Sequence, residues 1–412
     1  MMLARKILSE CMGLRKGERV LVVSDEAHRV LAEDLEREAG SMGSGEVFWL
    51  EDRPVEALPK SLAARLEGAD IVLTPIDDHE EEFPFRSALI EMATKRGRIG
   101  HMLGITEDDY PAIAGADYLP MAERTDRVAE ILARARRAEV HGRAGTALTM
   151  ELGGWQRLSA SSTGLLHERG AFGNLPAGEA AIAPLEGTTE WRIVFDRNIA
   201  NVGLLHEPVE VDVKGGRVQG IEGGEEAERL RFILERAPKG DNIAELGIGT
   251  NDTASLQGSI LVEEKALGPI HIGLGDNSHL GGTVEAGVHL DGIIMEPTVI
   301  IDGRTLLDGG VLRLEEFGGE DYSQLQPTYN NYMEKLEACP STPLKKVWRC
   351  HAGRHHETSV GDERTARLAG EGWGAFEARA GLGEIAIKIG RPEGEVRKIA
   401  RVMEAYEIAR TY

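Results

Sequence analysis

Two rhythms of apolar residues divide the chain. From Arg19 to about Leu103, short β-branched runs (RVLVVSD, GEVFWLE, DIVLTPI and RIGHML) alternate with helical patterns such as AHRVLAEDLEREAG and FRSALIEMATKRG. Strand and helix in alternation predict a parallel sheet with helices on both faces. A long amphipathic stretch, about Met121 to Arg137, predicts a helix leading out of this region. From about Thr146 to Leu314, Gly, Val, Ile and Thr dominate, the turn signals KGGR, IDGR and LDGG recur, and one helix is legible near Glu225 to Glu235. Past Glu315, a polar stretch precedes helical patterns, and LGEIAIKIG and PEGEVRKIARVMEAYEIA flank Arg391-Pro392 with the spacing of a helix-turn-helix. The expected fold is α/β: a doubly wound parallel-sheet domain over residues 1–140, a β-rich α+β catalytic domain over 141–314, and a small helical extension over 315–412.

Charge narrows the partners. The 69 acidic residues against 47 basic ones give a formal charge of −22, which repels nucleic acid and anionic membrane surfaces. Leu382 to Tyr412 carries six Lys/Arg against five Asp/Glu, so a packing or interaction module is preferred there over a DNA reader. Three cysteines, Cys11, Cys339 and Cys350, cannot build a disulfide framework and favour a reducing compartment. The opening MMLARKILSE lacks the apolar core of a signal peptide, and no later run approaches the roughly 20 apolar residues that span a bilayer. A cytoplasmic protein with no membrane partner is expected. A dinucleotide site is also disfavoured, because the turn after the first strand, Ser24-Asp25-Glu26-Ala27, has two carboxylates and no glycine cradle.

The chemistry gathers in the middle region. His289 and Asp291 are two apart in a strand-like run, so both side chains share one face and can hold one ion together. His271, from PIHIGLGDNSHLGG, would add a second imidazole from a neighbouring strand. Strand histidines and aspartates are more often satisfied by ordinary hydrogen bonds, so the pair alone decides little. Glu179 in NLPAGEAAIAP and Glu245 in AELGIGTN add weight: each sits among small and apolar residues, where an unpaired carboxylate costs several kcal/mol of desolvation or becomes protonated.

The series NLPAGEAAIAP, AELGIGTN, IHIGLGDN and VHLDGIIMEPTVIIDG, in that order, resembles the thermophilic metallo-aminopeptidases of the aminopeptidase T and aminopeptidase S type over roughly residues 1–314. What the resemblance implies is a two-metal hydrolase with Glu179, Glu245, His271, His289 and Asp291 as ligands. It further implies zinc, cobalt or manganese as the metals, a small peptide substrate and a homodimer. Glu179 or Glu245 would accept the proton from a metal-bound water. Three carboxylates against two divalent ions leave +1, which a bridging hydroxide would neutralise. One departure stands out: seven residues after His271, where the family has a tyrosine, this chain has Ser278, followed by His279. With Asp276 and Asn277 these residues are expected to shape the substrate pocket. The same neighbourhood includes dihydroxypyridine ring-opening dioxygenases, which use one non-heme Fe(II) held by two histidines and an aspartate. His271, His289 and Asp291 would supply that triad, for a small-molecule substrate. A third reading is a metal-binding scaffold without catalysis.

Other groups carry less. Cys339, Cys350, His351, His355 and His356 permit a zinc site, but neither thiol lies in a C-x-x-C knuckle, so a solvated loop is preferred. His101, ending the fourth strand, is expected to be a satisfied histidine, and Asp77, Asp78 and His79 a solvated acidic tip.

Overall fold

The structure, a computed structural model, describes residues 2–317 apart from 52, 155, 158, 257 and 258. The helix-turn-helix and the Cys339, Cys350, His351, His355 and His356 group lie outside the described residues.

The first elements are α1 (Met2–Lys6), β1 (Arg19–Ser24), α2 (Arg29–Gly40), β2 (Ser44–Trp49), α3 (Lys60–Leu66), β3 (Ile71–Ile76), α4 (Phe83–Arg96) and β4 (Arg98–Leu103). After α5 (Tyr110–Ala114) and α6 (Tyr118–Arg134) come β5 (Arg137–His141), β6 (Ala147–Glu151), β7 (Ser159–Ser162), β8 (Phe172–Asn174), β9 (Glu179–Ile182), β10 (Glu190–Phe195), β11 (Asn198–Ile199) and β12 (Gly203–Leu204). The rest are β13 (Val209–Lys214), β14 (Arg217–Glu222), α7 (Glu225–Arg236), β15 (Ile243–Gly249), α8 (Ile260–Glu263), β16 (Ile270–Gly275), β17 (His289–Ile294), β18 (Thr298–Ile301), β19 (Arg304–Asp308) and β20 (Val311–Leu312).

The fold class matches the expectation from sequence: a parallel-sheet N-terminal region precedes antiparallel sheets. The first sheet has the order β2-β1-β3-β4-β8, and its pairings are all parallel. Alternate residues of its strands serve two cores. Val20, Val22, Ile71 and Leu73 pack with Leu31 and Leu35 of α2, while Leu21, Val23, Val72 and Ile76 pack with Leu62, Leu66 and Leu89 of α3 and α4. Burial on both faces explains why these strands read as continuous apolar runs. The second sheet has the order β14-β13-β10-β6-β5-β18-β19-β20, and the third β12-β11-β17-β16-β15-β9-β7. Helix α6 starts three residues earlier than its periodicity suggests. It is tied to the third sheet where Thr125 Oγ1 and Thr250 Oγ1 lie 2.6 Å apart and Ser161 Oγ donates to Asp126 at 2.6 Å. No helix among the described residues is long and apolar enough to cross a membrane.

Doubly wound sheets bind ligands where strand order reverses, here beyond the carboxyl ends of β1 and β3. That crevice is filled by the protein itself. Asp25, after β1, accepts from His28 Nδ1 and from the Asp77 backbone N–H, each at 2.7 Å, and pairs with Arg53. Arg53 also pairs with the buried Glu82. His28 Nε2 donates to the Ile105 carbonyl at 2.9 Å, so both ring nitrogens are engaged and neither is left to bind an ion. His101 is buried against Thr74, as the sequence suggests.

Burial opposes the Asp25 charge, yet the hydrogen bonds from His28 and Asp77 and the charges of His28 and Arg53 hold its carboxyl down at about 2. A depressed carboxyl contributes stability above its unfolded value and loses it as pH falls through the folded one. The lost contribution is roughly 2 kcal/mol between about pH 4 and pH 2. Urea titrations across that range should show Asp25→Asn with a shallower acid limb than the wild type; parallel curves would exclude Asp25 as its source.

Candidate metal centre

One face of the third sheet brings together residues far apart in sequence. Strand period places Glu179 of β9, Glu245 of β15, His271 of β16, and His289 and Asp291 of β17 on the same side. The register sets each of them beside glycine. Glu179 lies opposite Gly249 and His271 opposite Gly247, Gly273 lies between Glu245 and Asp291, and His289 lies opposite Gly275. These glycines clear a cradle. A Cβ on Gly247 would meet His271 Nε2 at 1.9 Å, and one on Gly273 would meet Glu245 Cβ at 2.8 Å and His289 Cε1 at 2.9 Å. The opposite face of the same strands (Ala180, Ile182, Leu246, Ile248, Ile270, Ile272, Leu274 and Leu290) is buried and supplies the packing that the glycines cannot.

Glu245 is the hub. Its Oε1 lies 3.2 Å from His271 Nε2, and its Oε2 lies 2.9 Å from His289 Nε2 and 3.8 Å from His279 Nε2. His271 Nε2 is also 3.1 Å from Glu179 Oε1, and His289 Nε2 is 3.2 Å from Asp291 Oδ1. The five residues expected from sequence are therefore gathered, with His279 as a sixth. Two ion-sized groupings share Glu245: Glu179, Glu245 and His271 on the buried side, and Glu245, His279 and His289 on the other, each with ligand atoms within 4.8 Å of one another.

Lys265 has no signal in the sequence. It follows α8, where VEEKA reads as an exposed helix, yet it is 3% exposed. Its Nζ bonds Glu179 Oε2 and, at 2.6 Å, Glu264 Oε1. Gly249 makes this possible: a Cβ there would meet the Ala266 carbonyl oxygen at 2.0 Å, so only glycine lets the Lys265–Ala266 backbone pass so close to the sheet.

The electrostatics follow from burial and proximity. Burial disfavours charge on every group here. Against it, Lys265 and His271 hold Glu179 below the usual carboxylate range, and three histidines hold Glu245 well below it. Burial likewise opposes the imidazolium of His289, but Asp291 and Glu245 hold its proton more tightly than usual. Glu264, with less help from Lys265 than burial takes away, is pushed up to about 7. This pull on protons is the same field that would hold a metal cation.

The loop after β16 starts at Gly275, whose φ of +104° favours glycine. Asp276 Oδ1 accepts from the Ser278 backbone N–H at 2.9 Å and from its hydroxyl at 2.6 Å, and Oδ2 accepts from the Ala286 N–H at 2.9 Å. Asn277 is fully buried, accepting from the Val284 N–H at 2.9 Å and donating to Glu186 at 3.1 Å. Glu186 pairs with Arg157, and Arg157 bonds the Gly281 carbonyl. Of the four loop residues expected to shape a pocket, Asp276 and Ser278 thus spend these side-chain bonds on the loop itself and Asn277 ties the loop to Glu186, while His279 reaches toward Glu245. Glu186 and Arg157 escaped the sequence reading because their partners lie far along the chain.

Gly273→Ala is expected to lower affinity for a divalent ion at least about tenfold, read by calorimetric titration, with far-UV circular dichroism unchanged. Undiminished affinity would mean the cradle yields freely.

A family model described as NicX, 2,5-dihydroxypyridine 5,6-dioxygenase, matches residues 116–314. The 2,5-dihydroxypyridine 5,6-dioxygenase of Pseudomonas putida (strain KT2440) is 25% identical over 283 residues, 63% of this chain and 76% of that protein. Among solved structures, the dihydroxypyridine dioxygenase from P. putida KT2440 superposes with a TM-score of 0.62 at 18% identity, covering 76% of this chain and 96% of that one. AmpT from Thermus thermophilus superposes with a TM-score of 0.54 at 18% identity, covering 75% of this chain and 98% of that one. Both superpositions establish the fold. Together the comparisons support an enzyme. The leading expectation of a peptidase has only the fold likeness to AmpT behind it; the family model and the curated relative both carry the dioxygenase description.

Proposed function

We propose that the chain is a mononuclear non-heme iron dioxygenase that opens the ring of 2,5-dihydroxypyridine or a close hydroxylated N-heteroarene. The observation that carries this reading is the Lys265 ammonium seated on Glu179 within the cluster. The charge balance expected from sequence omitted it. With Glu264 counted as the neutral acid that burial favours, Glu179, Glu245 and Asp291 sum to −3; one divalent ion and Lys265 sum to +3, whereas two divalent ions, a bridging hydroxide and Lys265 sum to +4. A single ion balances the set, and the two glutamates that counted against one Fe(II) are accounted for. The name of the matching family and of the curated relative supports the same choice.

The donor set fits ferrous iron, since imidazole nitrogen and carboxylate oxygen in a site with open positions suit it. Glu245, His289 and Asp291 would hold it, and when bound it would supply the one-electron chemistry that lets dioxygen react with a closed-shell ring. The rest is the work of the chain. The His289 Nδ1–H donates to the Asp276 carbonyl at 2.7 Å, which turns the Nε2 lone pair toward Glu245 and Asp291. The site is graded from dry to open: the side chains of His271 and Lys265 are 1% and 4% exposed, those of His289 and His279 22% and 25%. A substrate therefore approaches along β17 and the His279 loop, and the buried Glu179–Lys265 side excludes water.

The test is anaerobic loading with Fe(II) followed by 2,5-dihydroxypyridine and oxygen. One iron per chain and one O₂ consumed per ring opened are expected. Two tightly held zinc or manganese ions, with amino acid release from small peptides and no oxygen uptake, would replace this reading with the hydrolase.

A further inference from the structure

We infer that Arg157 and Glu186, an ion pair at the edge of the third sheet, are positioning residues: they pin the loop of residues 276–288 across the metal-bearing face and so set the size of substrate the site admits. This deepens the dioxygenase reading and rests on it.

The loop leaves the sheet between β16 and β17 and is built as one unit. The Asp276 N–H donates to the Val288 carbonyl at 2.8 Å, the Asn277 N–H to the Val284 carbonyl at 3.1 Å, and the Gly282 N–H back to the Asn277 carbonyl at 2.8 Å. A Cβ on Gly282 would meet the Asn277 side chain at 2.0 Å, so glycine lets the chain close over it. A loop bonded to itself in this way moves as a body. Its place over the sheet is decided by where it is fastened.

The fastening lies on other strands than those from which the loop springs. Leu280 is buried against Ala181 and Ala183, on β9 and just past its end, and β9 stands two strands from β16. Strand period puts both alanines on the face that carries Glu179. Beside Leu280, the guanidinium of the buried Arg157, just before β7, donates to the Gly281 carbonyl and to Glu186, which follows β9. Glu186 in turn accepts from the Thr283 N–H at 2.7 Å and from Asn277 Nδ2 at 3.1 Å. Burial opposes the Glu186 charge, yet the Thr283 N–H, its own backbone N–H, Arg157 and Asn277 hold its carboxyl below the usual range. One ion pair thus grips the loop at Asn277, Gly281 and Thr283.

This crossing makes the loop a wall of the site. Lys265 covers Glu179 at one end of β9, and Leu280 covers Ala183 past the other, about 13 Å along the strand. His279, next to Leu280 in the chain, faces Glu245 at 3.8 Å on the open side by which substrate approaches. Arg157 and Glu186 therefore reach the entrance through the loop. A misplacement of about 1 Å caused far from the chemistry can cost about 100-fold in rate.

The experiment compares wild type, Arg157→Met and Arg157→Lys as full chains loaded with Fe(II). Oxygen uptake is followed with 2,5-dihydroxypyridine and with its 3-propyl derivative, and hydrogen exchange is followed at the amides of residues 277–284. Arg157→Met should keep one iron per chain, raise KM for 2,5-dihydroxypyridine about tenfold with little change in kcat, and narrow the preference over the 3-propyl compound at least about fivefold. Exchange at residues 277–284 should speed up while β15 and β16 stay protected. Arg157→Lys keeps the charge and loses one of the two bonds, so it should shift the same quantities less, and it carries the test if Arg157→Met does not fold. A purely structural role would lower the melting temperature and leave the substrate preference where it was, and that result would overturn the proposal. Absence of oxygen uptake in the wild type would instead sink the dioxygenase reading; the exchange data then stand alone, and unchanged protection in the variants would overturn the clamp.

Discussion

Lys265→Met is expected to lower the stability of the metal-free protein by about 3–5 kcal/mol, because it strands the Glu179 carboxylate in a dry site. Lys265 is the cation bonded to Glu179 Oε2, and the other neighbour, His271, supplies one shared hydrogen. The double variant Lys265→Met with Glu179→Gln should recover most of the loss, since the orphaned charge goes with its partner. Urea unfolding of the wild type, both single variants and the double closes the cycle. Full additivity of the two losses would mean the ion pair is not what holds this side of the site. The same substitution should raise the number of divalent ions bound per chain from one to two, because it vacates the only cation the chain contributes beside Glu179 among the described lysines and arginines.

The second large effect is at the hub. Glu245→Gln keeps the shape of the side chain and removes one negative charge that Oε1 and Oε2 share among three imidazoles. Loss of an outer partner of a metal ligand typically weakens binding 10–100-fold, and loss of a ligand oxygen should exceed the upper end, about 100-fold. Competition with a chelator of known affinity measures it. Binding within tenfold of the wild type would mean that His289 and Asp291 hold the ion without help from β15.

Much of this arrangement was written locally. His289 and Asp291 are two apart in one strand, so period alone put them on one face. Glu179 and Glu245 stood out as carboxylates among small residues. The glycines of AELGIGTN and HIGLGDN alternate, which marks strands with one face stripped of side chains. What escaped were relations between distant segments. Lys265 reads as one charge in a polar helix until the backbone beside Gly249 brings it over Glu179. Arg53 reads as a surface residue until β1 and β3 place Asp25 and Asp77 around it. His271 and His279 are equivalent as letters; only the packing of β16 and of the loop after it buries the first and leaves the second partly open. The parallel sheet was legible because its inner strands β1, β3 and β4 are buried on both faces, a property that composition records directly.

The bare columns beneath the cluster have a consequence for how this enzyme can change. Where each neighbouring position is already reduced to hydrogen, no smaller residue remains to be tried and any larger one collides with a side chain of the cluster or with backbone. Selection for a new substrate would thus find the strands rigidly invariant and would act on the turn carrying His279, whose rim beyond the Asp276 and Asn277 anchors tolerates replacement. Thr283 and Glu285, whose side chains are exposed on that rim, are where variants with altered substrate range should first accumulate.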